Sequence, residues 1–204
     1  MSLTGGDLNA LNGRFGISAP HRSVPIMQLI RVHRPRSKAE LEALVAYHAH
    51  HTCSCGIVSR GTIQDFGKAL YEAQHKAWGT YRYSLEHCIQ WEYHLFITQS
   101  WKGSAQERNL LQQLRLSLPE FQFDYSAAEL DAEYRIDLTI NKKDRLLGGI
   151  QVKPESFQHM RPSVIEYQKR QHRKWELPVL AAVYQEDGRW LDFQGLVARI
   201  KQLE

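Results

Sequence analysis

Three short extended runs, "EFQFDYS", "EYRIDLTI" and "LLGGIQVK", follow one another between residues 120 and 153, and their surroundings leave few folds open. Apolar side chains alternate with polar ones along them, the spacing that gives a strand one core-facing side. A helical run, "SAQERNLLQQLRLSL", precedes them. A second, "SVIEYQKRQHRKW", follows and leads into "LPVLAAVY", "RWLDF" and a last helical run, "LVARIKQL". The polar "NKKDR" has the size of a turn joining antiparallel strands. Helix, three strands, helix and two strands predict an α/β domain over 101–204, a mixed central β-sheet flanked by helices.

Upstream the period changes. Ser37 and Glu40 have the spacing of a capping box opening "KAELEALVAYHAHH", with Leu41, Leu44 and Val45 on one stripe. Thr62 is placed to cap "IQDFGKALYEAQHKAW", and Ser84 to open "LEHCIQWEYHLFI", where Leu85, Ile89, Tyr93 and Phe96 recur at helical spacing and read as core. Residues 1–36, rich in Gly, Pro and Arg, read as loop or arm. Residues 1–100 are therefore expected to be an arm and helical region.

The run "GGIQVKP" poses the functional question. Ile150 and Val152 share one strand face, Gln151 and Lys153 the other. In "YRIDLTI", Ile136, Leu138 and Ile140 form one face, Asp137 and Thr139 the other. If 134–140 and 147–153 pair around "NKKDR", Asp137 comes near Gln151 and Lys153. A carboxylate, an amide oxygen and an ammonium then converge at the end of a sheet. Hard oxygen donors suit Mg²⁺. A lysine beside them can orient or help deprotonate a water and stabilise charge on a phosphate. Phosphodiester cleavage is the chemistry this set fits.

Asp137 with Gln151-Val152-Lys153, between a helix carrying Glu107 and a basic helix, resembles the PD-(D/E)xK nuclease superfamily over about residues 102–185. The resemblance implies a restriction-endonuclease-like core and a metal held by Glu107, Asp137 and Gln151, with Lys153 acting on the water. Gln151 departs from the pattern, which has an acidic residue there. A narrower likeness, carried by "LNGRFGIS", "VPIMQLIRVHRPRSKAELEALVAYH" and "QSWKGSAQERNLL", is to the MjaI-type type II restriction endonucleases. It implies Mg²⁺-dependent cutting of double-stranded DNA at a short palindromic site. Two rivals share the residues: a structure-specific repair or junction nuclease, and a catalytically silent DNA-binding protein.

Glu107 also has a bland reading, since Ser104-Ala105-Gln106-Glu107 has capping-box spacing. Yet it falls on the stripe of Leu110, Leu111 and Leu114, where an acid needs a partner or a metal. Glu133 and Glu129 are its reserves.

Charge placement favours a polyanion. The net charge is +4, and no acid lies between Asp7 and Glu40, a stretch holding Arg14, Arg31 and Arg34. On a helix, Lys169/Arg173 and Arg170/Lys174 lie four apart, an arrangement that repels itself unless it faces phosphates or is neutralised by Glu166 and Glu176. A palindromic target has twofold symmetry, so a homodimer is expected, with the helix around Trp91 and Tyr93 as a candidate interface. Three cysteines argue against a disulfide framework as the basis of the fold. No apolar run approaches a membrane span, and "MSLTGGDLN" lacks a signal pattern, so a cytoplasmic protein is expected. His48, His50, His51, Cys53 and Cys55 are zinc-ligand types crowded into eight residues. Their spacing differs from the common zinc sites and reads as a polar helix end with semi-exposed histidines.

Overall fold

The computed structural model describes residues 6–20, 22–160 and 162–203. The chain forms two compact units, Met1–Ser104 and Ala105–Glu204. Residues 1–5, part of the opening considered for export, lie outside the described residues. No helix among the described residues is long and apolar enough to cross a membrane.

The helices α1 (Gly6–Phe15), α2 (Ile26–His33), α3 (Lys38–His50), α4 (Ile63–Trp78) and α5 (Leu85–Tyr93) follow in order, and a π-helical turn, His94–Thr98, leads into α6 (Gln99–Ser117). Local capping chemistry sets three of the starts. Ser37 accepts from the Glu40 N–H, Thr62 and Asp65 form a reciprocal capping box, and Ser84 accepts from the His87 N–H. The Glu40 carboxylate reaches back to the Arg36 N–H at 2.6 Å rather than to Ser37. One core gathers Ile26, Leu29, Leu41, Val45, Ile63 and Phe96; another gathers Leu8, Leu11, Leu70, Cys88 and Trp91. Gly67 lets α4 and α5 approach closely: a Cβ there would lie 2.8 Å from the Ile89 Cα.

Several expectations are corrected in this unit. Residues 1–36 are not an arm throughout, because α1 and α2 bury Leu8, Leu11, Ile26, Leu29 and Ile30. Trp91 is buried in a core, which removes it as an exposed interface, while Leu85, assigned to the core, is 38% exposed. His48 is buried rather than semi-exposed.

In the second unit, β1 (Gln122–Tyr125), α7 (Ala128–Tyr134), β2 (Leu138–Lys142) and β3 (Arg145–Pro154) precede a 3-10 turn, Glu155–His159. Then come α8 (Pro162–Lys174), β4 (Val179–Tyr184) and α9 (Phe193–Lys201). The sheet has the order β1-β2-β3-β4, antiparallel for the first two pairings and parallel for β3 with β4. The return through α8 is what a parallel neighbour requires. This is the mixed α/β architecture that the order of runs predicts. Its core joins Leu110, Leu114, Phe123, Leu138, Ile150 and Ile200.

The extended segments differ in detail from the sequence reading. "NKKDR" is not a five-residue turn: Lys143 and Asp144, with φ of 49° and 60°, make a two-residue turn, and Lys142 pairs with Arg145. Glu133–Ile136 is not strand, because α7 runs to Tyr134 and is capped by Arg135 in the left-handed region. "RWLDF" contributes only an isolated bridge from Trp190 to Tyr184.

Candidate active site

The ladder between β2 and β3 shifts register between Ile140 and Asn141. Unshifted, the pairing that starts at Lys142 and Arg145 would have set Leu138 against Gly149. The shift sets it against Ile150, so two core side chains share a face and Gln151 begins the other. Gly148 and Gly149 are needed beside this point. A Cβ on Gly149 would lie 2.9 Å from the Trp175 ring, and one on Gly148 would lie 2.8 Å from the Pro178 carbonyl oxygen. The glycine pair lets the segment after α8 close over β3.

Asp137 immediately precedes β2. Its N–H donates to the Ile150 carbonyl at 2.9 Å, and its Oδ2 accepts from the Val152 N–H at 2.7 Å. The carboxylate thus occupies a position in the ladder that a backbone carbonyl would otherwise fill. Gln151 is buried, with 6% of its surface exposed. Lys153 lies one alternation further along β3, its Nζ 4.0 Å from the centre of the Phe157 ring. Burial pushes the Lys153 ammonium down to about 8, against the pull of the Asp137 and Asp131 carboxylates and with help from Arg135. Asp137, Gln151 and Lys153 therefore gather at adjoining ends of β2 and β3.

Glu107 is buried on α6, on the stripe of Leu110, Leu111 and Leu114. Its capping reading is corrected: α6 begins at Gln99, so Ser104 lies inside the helix and caps nothing. Tyr184, at the end of β4, feels the charge of both Glu107 and Asp137. Burial first, then the Glu107 and Asp137 carboxylates, raises the Tyr184 phenol above its usual range. Both acids are thus within electrostatic reach of one hydroxyl. Glu107, Asp137 and Gln151 offer the oxygen donors that a hard divalent cation takes.

Neither reserve acid joins the group. Glu129 and Glu133 are exposed on α7, whereas Asp131, between them, acts on Lys153. Sequence reasoning missed Asp131, Arg135, His172 and Tyr184. Burial and the neighbouring Lys153 push the His172 imidazole down, and the Arg135 carbonyl opposes this. The helical period of "AELDAEY" was a usable signal for Asp131; no local signal marks Tyr184. A groove lined by Val179, Val183, Leu191 and Arg199 along β4 and α9 contains none of these groups.

The basic candidates divide between the units. Lys169, Arg170, Arg173 and Lys174 are all exposed on α8. Arg173 pairs with Glu166 at 2.7 Å, and Arg170 lies over the Tyr167 ring at 5.6 Å, so part of this face is neutralised within the helix. In the first unit, Arg14 is exposed beside the Phe15 ring, Arg31 is half-buried, and Arg34 ends α2 in the left-handed region with φ of 48°.

No curated protein and no solved structure was found to match the chain. The MjaI restriction endonuclease family does match, over residues 8–180, which takes in both units and every candidate residue of the strands. The chain belongs to the MjaI restriction endonuclease family, and with it to the nucleases.

Proposed function

We propose that the chain is a Mg²⁺-dependent type II restriction endonuclease that hydrolyses both strands of DNA at a short specific site, working as a homodimer. The observation that carries this reading is the convergence of Asp137, Gln151 and Lys153, with Tyr184 in reach of both Asp137 and Glu107. Asp137, Gln151 and Glu107 would hold the ion, and the donor set suits Mg²⁺ because it is all oxygen. When bound, Mg²⁺ supplies positive charge against the phosphate oxygens.

The remaining work falls to the chain. The Val152 N–H fixes the Asp137 carboxylate, so the donor is oriented before any ligand arrives. Phe157 packs against the Lys153 ammonium and restrains it beside Asp137. From there Lys153 orients the attacking water and stabilises charge that develops on the phosphate. Lys169, Arg170, Arg173 and Lys174 on α8, with Arg14, Arg31 and Arg34, would grip the DNA backbone. The first unit would supply target reading or dimer contacts.

The test is incubation with supercoiled plasmid and with genomic DNA, with and without Mg²⁺. Discrete bands that require Mg²⁺ are expected. Smears or cuts confined to branched DNA would favour a repair nuclease. Intact DNA with a gel shift would leave a binding protein in which Gln151 marks lost catalysis.

A further inference from the structure

A second cluster of ligand-type side chains lies in the first unit, where the endonuclease reading has no use for it. His33 ends α2, His48 lies in the last turn of α3, and Cys53 and Cys55 occupy the loop that follows. One nitrogen or sulfur atom from each of the four lies within 4.8 Å of all the others. His48 Nε2 and Cys55 Sγ are 3.3 Å apart, and the two imidazole ring centres are 4.9 Å apart at a steep angle.

A tetrahedral zinc with bonds of about 2.3 Å to sulfur and about 2.0–2.1 Å to nitrogen sets its ligand atoms about 3.3–3.8 Å from one another. With every separation within 4.8 Å, the cluster needs a contraction of about 1.5 Å at most to reach that geometry. Two details favour a metal over an ordinary hydrogen-bonded group. His48 Nδ1 lies 2.8 Å from the Leu44 carbonyl and donates to it, which leaves the Nε2 lone pair facing the cluster. The buried His33 Nε2 has no hydrogen-bond partner among the described residues. A Cys55–His48 hydrogen bond alone would explain neither that orphaned nitrogen nor the presence of Cys53.

We propose that His33, His48, Cys53 and Cys55 form a structural Cys2His2 zinc site that ties α2 to the loop after α3. Two thiolates neutralise the divalent charge, and sulfur ligands select zinc over Mg²⁺. Four protein ligands fill a tetrahedral shell, so the site holds structure rather than performing hydrolysis. His50 and His51 are outside it, His51 being stacked on Tyr47. Sequence spacing pointed away from zinc because His33 comes from a separate helix. The fold supplies the distant ligand that the crowded "HAHHTCSCG" lacked.

The test is metal content of the full-length protein purified without added metal. Close to one zinc per chain is expected, released by a strong chelator. Replacement by Co²⁺ should give a thiolate charge-transfer band and the intense visible bands of a tetrahedral ion. His33→Ala and Cys53→Ser should each weaken zinc binding by roughly a hundredfold or more, while His50→Ala and His51→Ala should not. Cys53 and Cys55 should resist a thiol reagent until chelator is added. That comparison uses the wild-type chain, so it decides even if the ligand variants fail to fold. Absence of zinc together with an octahedral Co²⁺ spectrum would overturn the proposal, as would equal retention of zinc by ligand and control variants. None of these readings depends on DNA cleavage.

Discussion

Glu92→Gln should stabilise the protein far more at pH 8 than at pH 5. Glu92 is fully buried on α5, and Ser18 Oγ lies 2.8 Å from its Oε2. The same Ser18 hydroxyl lies 3.1 Å from Asn12 Oδ1, and the Asn12 amide is oriented by accepting from the Ser18 N–H and donating to the Ser18 carbonyl. One hydroxyl proton cannot serve both oxygens. A protonated Glu92 resolves this by donating to Ser18, whose proton then goes to Asn12. Burial likewise pushes the Glu92 carboxyl from 4.5 up to about 7, against the Ser18 hydrogen bond. Because the folded pKa is raised, the charged form opposes folding. Stability is therefore highest below about 4.5, falls as pH rises towards about 7 and is level beyond it. At about 1.4 kcal/mol for each pH unit the gap amounts to about 3 kcal/mol. A glutamine amide keeps the donor and never ionises. Urea denaturation of both proteins from pH 5 to 8 measures the difference, in which the other titrating groups cancel. The variant should gain about 2–3 kcal/mol on wild type across that range, or about 5–10 °C in Tm. A difference that stays flat with pH would refute the buried-acid account.

Gly67→Ala should destabilise by about 1–3 kcal/mol or more in thermal denaturation, because the new Cβ meets the Ile89 backbone; a neutral result would mean that α4 and α5 separate easily. Neutralising Arg170 and Arg173 together should flatten the salt dependence of DNA binding by on the order of one to two phosphate contacts, with Arg173 giving less because Glu166 already pairs with it. An unchanged slope would make that helix face merely solvated. Light scattering with cognate DNA should report a dimer; a monomer both free and bound would count against paired cutting.

Much of the fold was legible because its signals are local. Ser37, Thr62 and Ser84 announce their helices through side chains that reach only three residues. The helix α2 escaped because Pro25 stands at its N-cap position with no side-chain cap, so a Pro- and Arg-rich stretch gave no start signal. The alternation of "EYRIDLTI" suggested one long strand, yet its first residues belong to a helix of good helix formers that Arg135 closes. That Asp137, Gln151 and Lys153 share one face of paired strands was readable from period two and the turn between them; the nuclease reading came from their resemblance to a known motif. The register shift that sets Leu138 against Ile150 was not readable, since a bulge leaves no mark in composition. Tyr184 and His33 reach their clusters through tertiary packing, which no spacing rule contains.

The central claim is that the strand ends at Asp137, Gln151 and Lys153 are the catalytic centre. Cleavage across a Mg²⁺ titration, for wild type, Lys153→Ala and Gln151→Glu, with DNA binding measured in Ca²⁺, tests it most directly. Lys153→Ala should bind nearly as well as wild type and cut slower by about 10²-fold or more. Gln151→Glu should move the Mg²⁺ dependence to lower concentration, because a second carboxylate joins Asp137. If Lys153→Ala cuts at the wild-type rate and Gln151→Glu leaves the Mg²⁺ dependence unmoved, the catalytic centre lies elsewhere.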